Sequence, residues 1–190
     1  MGVYIVFAGA AANILGTSSY FFGTLRGTTK PNRVSWFFWA VAAYTAGFAS
    51  LFAGVGWAAF PVFVGATLCL LVLLASFVNP RAYWKLGRFD YLCGFFAALA
   101  LMLWFFTNEP TLTIACAILC DCFATLPTIT KAWKEPSSES PWTYAGGLLN
   151  GLSAFFVIKV WDFSSVAFPL DIMALAILIL CAMYHKKLFP

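Results

Sequence analysis

Two carboxylates and two carboxamides stand inside long apolar runs of this 190-residue chain: Asp121, Asp171, Asn13 and Asn150. Polar groups of this kind are costly in such a run and normally face a cavity or a partner helix, which makes each a functional candidate. Asp121 lies midway along its run, flanked by Cys120 and Cys122. Apolar surroundings disfavour its charged form, so its chemistry is that of a proton or cation carrier. Asp171 lies about a turn and a half into the last run and is a second proton-coupling candidate, with a salt bridge to Lys159 as its simpler role. For Asn13 and Asn150 two roles stand side by side, contact with a substrate and hydrogen bonding between helices.

Helical periodicity groups these residues with others, because positions three, four and seven apart share one face. Asn13, Gly16, Thr17 and Tyr20 form one stripe, and Asp121, Thr125 and Thr128 another. Asn150 shares a face with Thr143, Gly147 and Ala154, and Asp171 with Ala167, Ala174 and Leu178. Thiolates at one-turn spacing select soft metals, but Cys120 and Cys122 point apart and no histidine or methionine joins Cys116, so neither a metal site nor a cofactor is expected. Lone His185 belongs to a basic flank with Lys186 and Lys187. A nucleophile beside a base is missing, and Gly54-Val55-Gly56 and Gly146-Gly147 are too short to cradle phosphates, so no enzyme is expected.

The elements that must hold these groups follow from composition. With 63% hydrophobic and 9% charged residues, the chain cannot hide its apolar surface inside a water-facing globule, and its solvent is a bilayer. All six cysteines fall in apolar runs and say little about redox compartment. Spanning hydrocarbon takes about 20 residues of helix, which divides the sequence into seven spans: 3–25, 34–53, 57–78, 90–107, 111–131, 142–160 and 166–184. The apolar N-terminus lacks a basic leader and is read as the first span, not as a cleaved signal.

Basic residues set orientation, since lysine and arginine in short loops are retained on the cytoplasmic side. Arg26, Lys30 and Arg33, then Arg81, Lys85 and Arg88, then Lys131 and Lys134, and finally Lys186 and Lys187 follow the odd-numbered spans. This predicts an outside N-terminus and a cytoplasmic C-terminus. It also accounts for the net charge of +4 without a nucleic-acid partner. Trp57, Trp104 and Trp161 then mark the outer interface, and Trp36, Trp84, Trp133 and Trp142 the inner one.

A repeat is legible as well. Ala59-Phe60-Pro61 returns as Ala167-Phe168-Pro169 at an offset of 108 (167 − 59), and Asn13 stands at the same offset from Asp121 (121 − 13). Two three-span units can run in the same sense only if one span lies between them. The expected plan is therefore three plus one plus three: a first repeat over 1–78, a linker with inversion helix 4 over 79–110, and a second repeat over 111–190.

The segment Leu126-Pro127-Thr128, followed by the lysine turn and Pro141-Trp142, resembles the signature of the PQ-loop superfamily, which includes the SWEET and bacterial SemiSWEET sugar transporters. Thr128 stands where glutamine is usual, and Tyr20 or Phe21 replaces the proline of the first half. The resemblance implies a transporter of a sugar-like solute by alternating access, in a bacterial inner membrane, with Pro127 as a hinge. Proline suits that role because it removes one backbone hydrogen bond from its helix. A solute between the halves would meet Asn13, Asn150 and aromatic residues such as Trp39 and Tyr44.

Two further readings stay open. Embedded Asp121 points to proton-coupled transport of an amino-acid-like or vitamin substrate, and the same helix plan serves membrane receptors and assembly factors that carry no solute. The sequence is compatible with a homo-oligomer but does not call for one.

Overall fold

The computed structural model describes residues 2–104, 106 and 109–188, and among these the chain is helical with no strand. Seven α-helices follow one another: α1 (Gly2–Arg26), α2 (Arg33–Phe52), α3 (Phe60–Val78), α4 (Arg88–Trp104), α5 (Pro110–Lys134), α6 (Pro141–Ala154) and α7 (Phe163–Leu188). Short 3-10 turns at Gly56–Ala59 and Pro136–Ser138 lead into α3 and α6. The expected outer position of the Trp104 side chain, the connector residue Asn108 and the Lys187 side chain lie outside the described residues.

Among the described residues, five segments are long and apolar enough to cross a bilayer: α1, α2, Gly56–Val78, α5 and the Phe163–Lys186 part of α7. The protein is therefore read as a membrane protein. The span expected over 142–160 is cut short, because α6 ends at Ala154 after 14 residues. At about 1.5 Å per residue it rises about 21 Å, less than the roughly 30 Å of a hydrocarbon core. Phe155, Phe156 and Val157 turn back onto the carbonyls of Leu152, Ser153 and Ala154, and the chain leaves the helix there. Helix α7 starts three residues earlier than the expected 166, since Asp162 accepts the Ser165 backbone N–H at 2.9 Å as a cap does.

Local chemistry explains the other starts. Asn32 accepts from the N–H groups of Val34 and Ser35 and so opens α2, while Pro110 and Pro141 occupy the first helical positions of α5 and α6, where no amide donor is missed. Pro127 and Pro169, by contrast, sit inside α5 and α7. Each leaves the carbonyl four residues earlier, Phe123 and Ser165, without its helical N–H partner.

Packing follows a regular scheme. Helix α3 packs on both α1 and α2, α7 packs on both α5 and α6, and the two triplets meet through α1 against α6 and α2 against α5. Helix α4 lies on the outside of α5 and also touches α2. The α1–α6 contact is made at backbone distance: a Cβ on Gly16 would stand 2.2 Å from the Trp142 carbonyl oxygen, and one on Gly146 2.7 Å from that of Ala12. Small residues permit this approach in a membrane, where association relies on close packing and not on exclusion of water.

Gly16→Ala should therefore destabilise the protein by about 1–3 kcal/mol, as overpacking does, and lower its melting temperature in detergent. Gly147→Ala, whose added carbon meets nothing within 4 Å, should leave the melt unchanged.

Candidate functional site

At the junction of the two triplets lies a cavity of about 120 Å³, lined from every helix except α4. Four of the expected site residues reach it together: Asn13 from α1, Trp39 from α2, Asp121 from α5 and Asn150 from α6. Thr17 and Thr125, each one turn beyond Asn13 and Asp121, line it too. The periodicity of the stripes brings them there, since a face that carries polar groups in hydrocarbon must turn toward protein.

Their hydrogen bonds leave capacity unused. The Asn13 Oδ1 accepts from the Thr17 hydroxyl at 3.1 Å, and the Asn150 Nδ2 donates to the Pro61 carbonyl at 2.8 Å. The Asn150 Oδ1 then has no partner, although the residue is only 1% exposed. The Trp39 indole N–H is spent on the Thr125 hydroxyl at 2.8 Å, whereas that of Trp36 is buried and unpaired. Both indoles line the cavity.

Asp171 does not pair with Lys159, which is exposed on the segment after α6. It is buried behind Asp121 instead, its carboxyl within hydrogen-bonding reach of the Asp121 carboxyl. The Cys122 Sγ approaches its Oδ1 at 3.7 Å, and its Oδ2 has no partner. The reason is rotational: α7 packs on α5, and the side of α7 that carries Asp171 faces that helix.

Tyr44 lies elsewhere. Its hydroxyl meets that of Thr67 at 2.9 Å and its ring packs beside Phe63, away from the cavity. Pro127 is buried but does not line the cavity; it lies between two ties from α5 to α2, Thr125 to Trp39 and Thr128 to Ser35, the latter at 2.9 Å. The expected polar stripe of α1 is also divided, since Gly16 faces α6 while Tyr20 continues past Thr17 into the core.

Spacing and charge counting missed a second cluster. Lys131, expected in a solvated basic turn, is 1% exposed and points inward. Its Nζ stands 2.7 Å from Glu139 Oε1, at an angle that makes the contact an ion pair and not a well-aimed hydrogen bond. The Lys30 carbonyl accepts from the same ammonium, the Tyr20 hydroxyl lies at 3.4 Å, and the Trp84 ring centroid is 5.6 Å away. Glu139 is completed by the Tyr144 hydroxyl, which donates to Oε2 at 2.6 Å. Trp36, expected in an interfacial belt, is 2% exposed and packs between Tyr20 and Trp39, with ring centroids 4.8 and 5.2 Å away in tilted and edge-to-face arrangements. The signal available was that Lys131 follows Thr128 by three positions and so continues the inward stripe of α5.

The cluster fills the interior between the cavity and the end of the bundle that carries Lys30 and Glu135. A half-exposed ion pair of those two residues, at 2.7 Å, also ties the loop after α1 to the turn after α5. Exposed pairs of this kind stabilise little, so the buried pair dominates.

Compared with known proteins, the chain matches no family model, no curated protein and no solved structure.

Glu139→Gln would leave the Lys131 ammonium buried without its counter-charge, and should cost about 3–5 kcal/mol in a detergent melt. Replacing both partners, Lys131→Met with Glu139→Leu, should recover most of that loss.

Proposed function

We propose that this protein is a membrane transporter that moves a small polar solute by alternating access through the central cavity. The observation that carries this reading is the cavity itself: it lies between two helix triplets and is faced by Asn13, Asn150 and Asp121, whose positions a merely structural bundle would fill with apolar groups. The pairing of helices supports a two-repeat plan. Exchanging α1, α2 and α3 with α5, α6 and α7 maps the pairs α1–α3, α2–α3 and α1–α6 onto α5–α7, α6–α7 and α5–α2. Helix α4 then joins two parallel repeats, with the N-terminus outside and the C-terminus cytoplasmic.

In this mechanism the Lys131–Glu139 cluster is the closed cytoplasmic side of the cavity. Pro127 loosens α5 just beyond Asp121, so the end of α5 that carries Lys131 can swing about that point. Likeness to the PQ-loop and SWEET group makes a sugar the first solute to try. Proton coupling is the second reading, favoured by the contact of Asp121 with Asp171.

Reconstituted into liposomes, the protein should exchange a labelled member of a panel of sugars, amino acids, vitamins and small amines. Gly147→Leu, which fills open cavity space, should abolish that exchange while leaving the melting temperature within a few degrees of the parent. Exchange unaffected by Gly147→Leu would place the route elsewhere. An entire panel left outside, with no shift in melting temperature on adding any member, would favour a receptor or assembly role.

A further inference from the structure

Three features of the cavity constrain what it holds. The first is charge. Two carboxyls lie within hydrogen-bonding reach of each other inside membrane-spanning helices, and among the described residues no cationic side chain faces them. Lys131, ten residues along α5 from Asp121, is occupied by Glu139. The titratable groups that face the pair are Cys69 of α3 and Cys120 and Cys122 of α5, with Tyr144 of α6 on the far cavity wall. None of these supplies a positive charge. On α2, Arg33 is bound to Ser76 and Tyr44 to Thr67; on α4, Asp90 is bound to Asn32 and the Gly87 amide, with Cys93 beside it, and Arg88 and Tyr91 are exposed. Neutrality at the pair then requires either protons or a cation from outside the chain.

The second feature is an acceptor without a donor. The Asn150 Oδ1 belongs to a residue 1% exposed, lines the same cavity and is unpaired, so a bound group with positive charge would find a second oxygen there. Aromatic faces of Trp36, Trp39 and Tyr144 complete the walls, and such faces attract organic cations.

The third feature is size. An apolar cavity of about 150 Å³ holds benzene, so about 120 Å³ suits roughly five or six non-hydrogen atoms, about half a hexose.

We infer that the solute is a small monovalent organic ammonium ion, held between Asp121, Asn150 and the aromatic walls, and exchanged for one proton of the Asp121–Asp171 pair. The empty pair carries two protons and is neutral; the loaded pair keeps one shared proton, has lost the other to solvent and is neutral with its cation. No bond other than O–H is made or broken. The inference rests on the transporter reading, but its test does not need transport.

Tetramethylammonium serves as the probe, because it has no neutral form that leaks or titrates. Calorimetry on the purified full chain in detergent, repeated in two buffers of different ionisation enthalpy, reads affinity and proton release together. The expected result is saturable binding with about one proton released, and an affinity that rises about tenfold per pH unit while the pair is protonated. Asp171→Asn leaves Asp121 as the one titrating carboxyl and should keep the release of about one proton, whereas Asp121→Asn combined with Asp171→Asn should abolish both binding and proton release. Glucose, added to the same protein, should not bind. Binding of glucose without tetramethylammonium would overturn the ammonium inference and leave the transporter reading standing. Tetramethylammonium binding with no proton released in either buffer would overturn the exchange.

Discussion

A lysine buried to 1% exposure must be surrounded by oxygen, and much of the arrangement at one end of this bundle follows from meeting that demand. Lys131 belongs to α5, its counter-ion Glu139 to the turn before α6, the accepting carbonyl of Lys30 to the loop after α1, and the nearby Tyr20 hydroxyl to α1. One charge therefore gathers segments from both halves of the chain. Tyr144 adds α6 through Glu139, and its ring also lines the cavity. The same few side chains thus seal the end of the bundle and form part of the chamber wall. A change in how Lys131 is paired would be felt directly at the chamber wall.

Much of this could be read from residue order. Hydropathy alone separates the apolar runs, because a backbone in lipid has few ways to satisfy its hydrogen bonds. Helical stripes pointed Asn13, Asp121 and Asn150 inward, and all three line one chamber. Spacing failed where rotation or chain direction decides. Tyr44 has a plausible position on α2 but turns toward Thr67, and Asp171 meets Asp121, not Lys159, because the segment after Ala154 leaves the helix before Lys159 can approach. Rules for basic loops speak to the side of the membrane and not to burial, since they count charge by position along the chain and cannot see a side chain folding back under its own turn, as that of Lys131 does. Trp36 was misplaced for a similar reason, because belt and core tryptophans have the same composition.

The ties between α2 and α5 are of a different kind from those between α1 and α6. Trp39 and Ser35 reach Thr125 and Thr128 through hydroxyl and indole groups on either side of Pro127. Each such bond is worth about 0.5–1.5 kcal/mol, so the set can be exchanged for others at small cost. It lies where α5 has already lost one backbone hydrogen bond.

The backbone contact of α1 with α6 has the opposite mechanical character. Gly16 against the Trp142 carbonyl, and Gly146 against that of Ala12, interlock two main chains, so sliding one along the other would drive peptide atoms into peptide atoms. That seam is set by main-chain shape, while the hydroxyl-bonded seam between α2 and α5 is set by exchangeable side-chain bonds. Drift by mutation should be uneven as a result: Gly16 and Gly146 leave no room for a side chain without displacing backbone, whereas serine and threonine can trade places along the α2–α5 face, so variation among descendants of this chain would collect on the hydroxyl-bonded wall of the chamber.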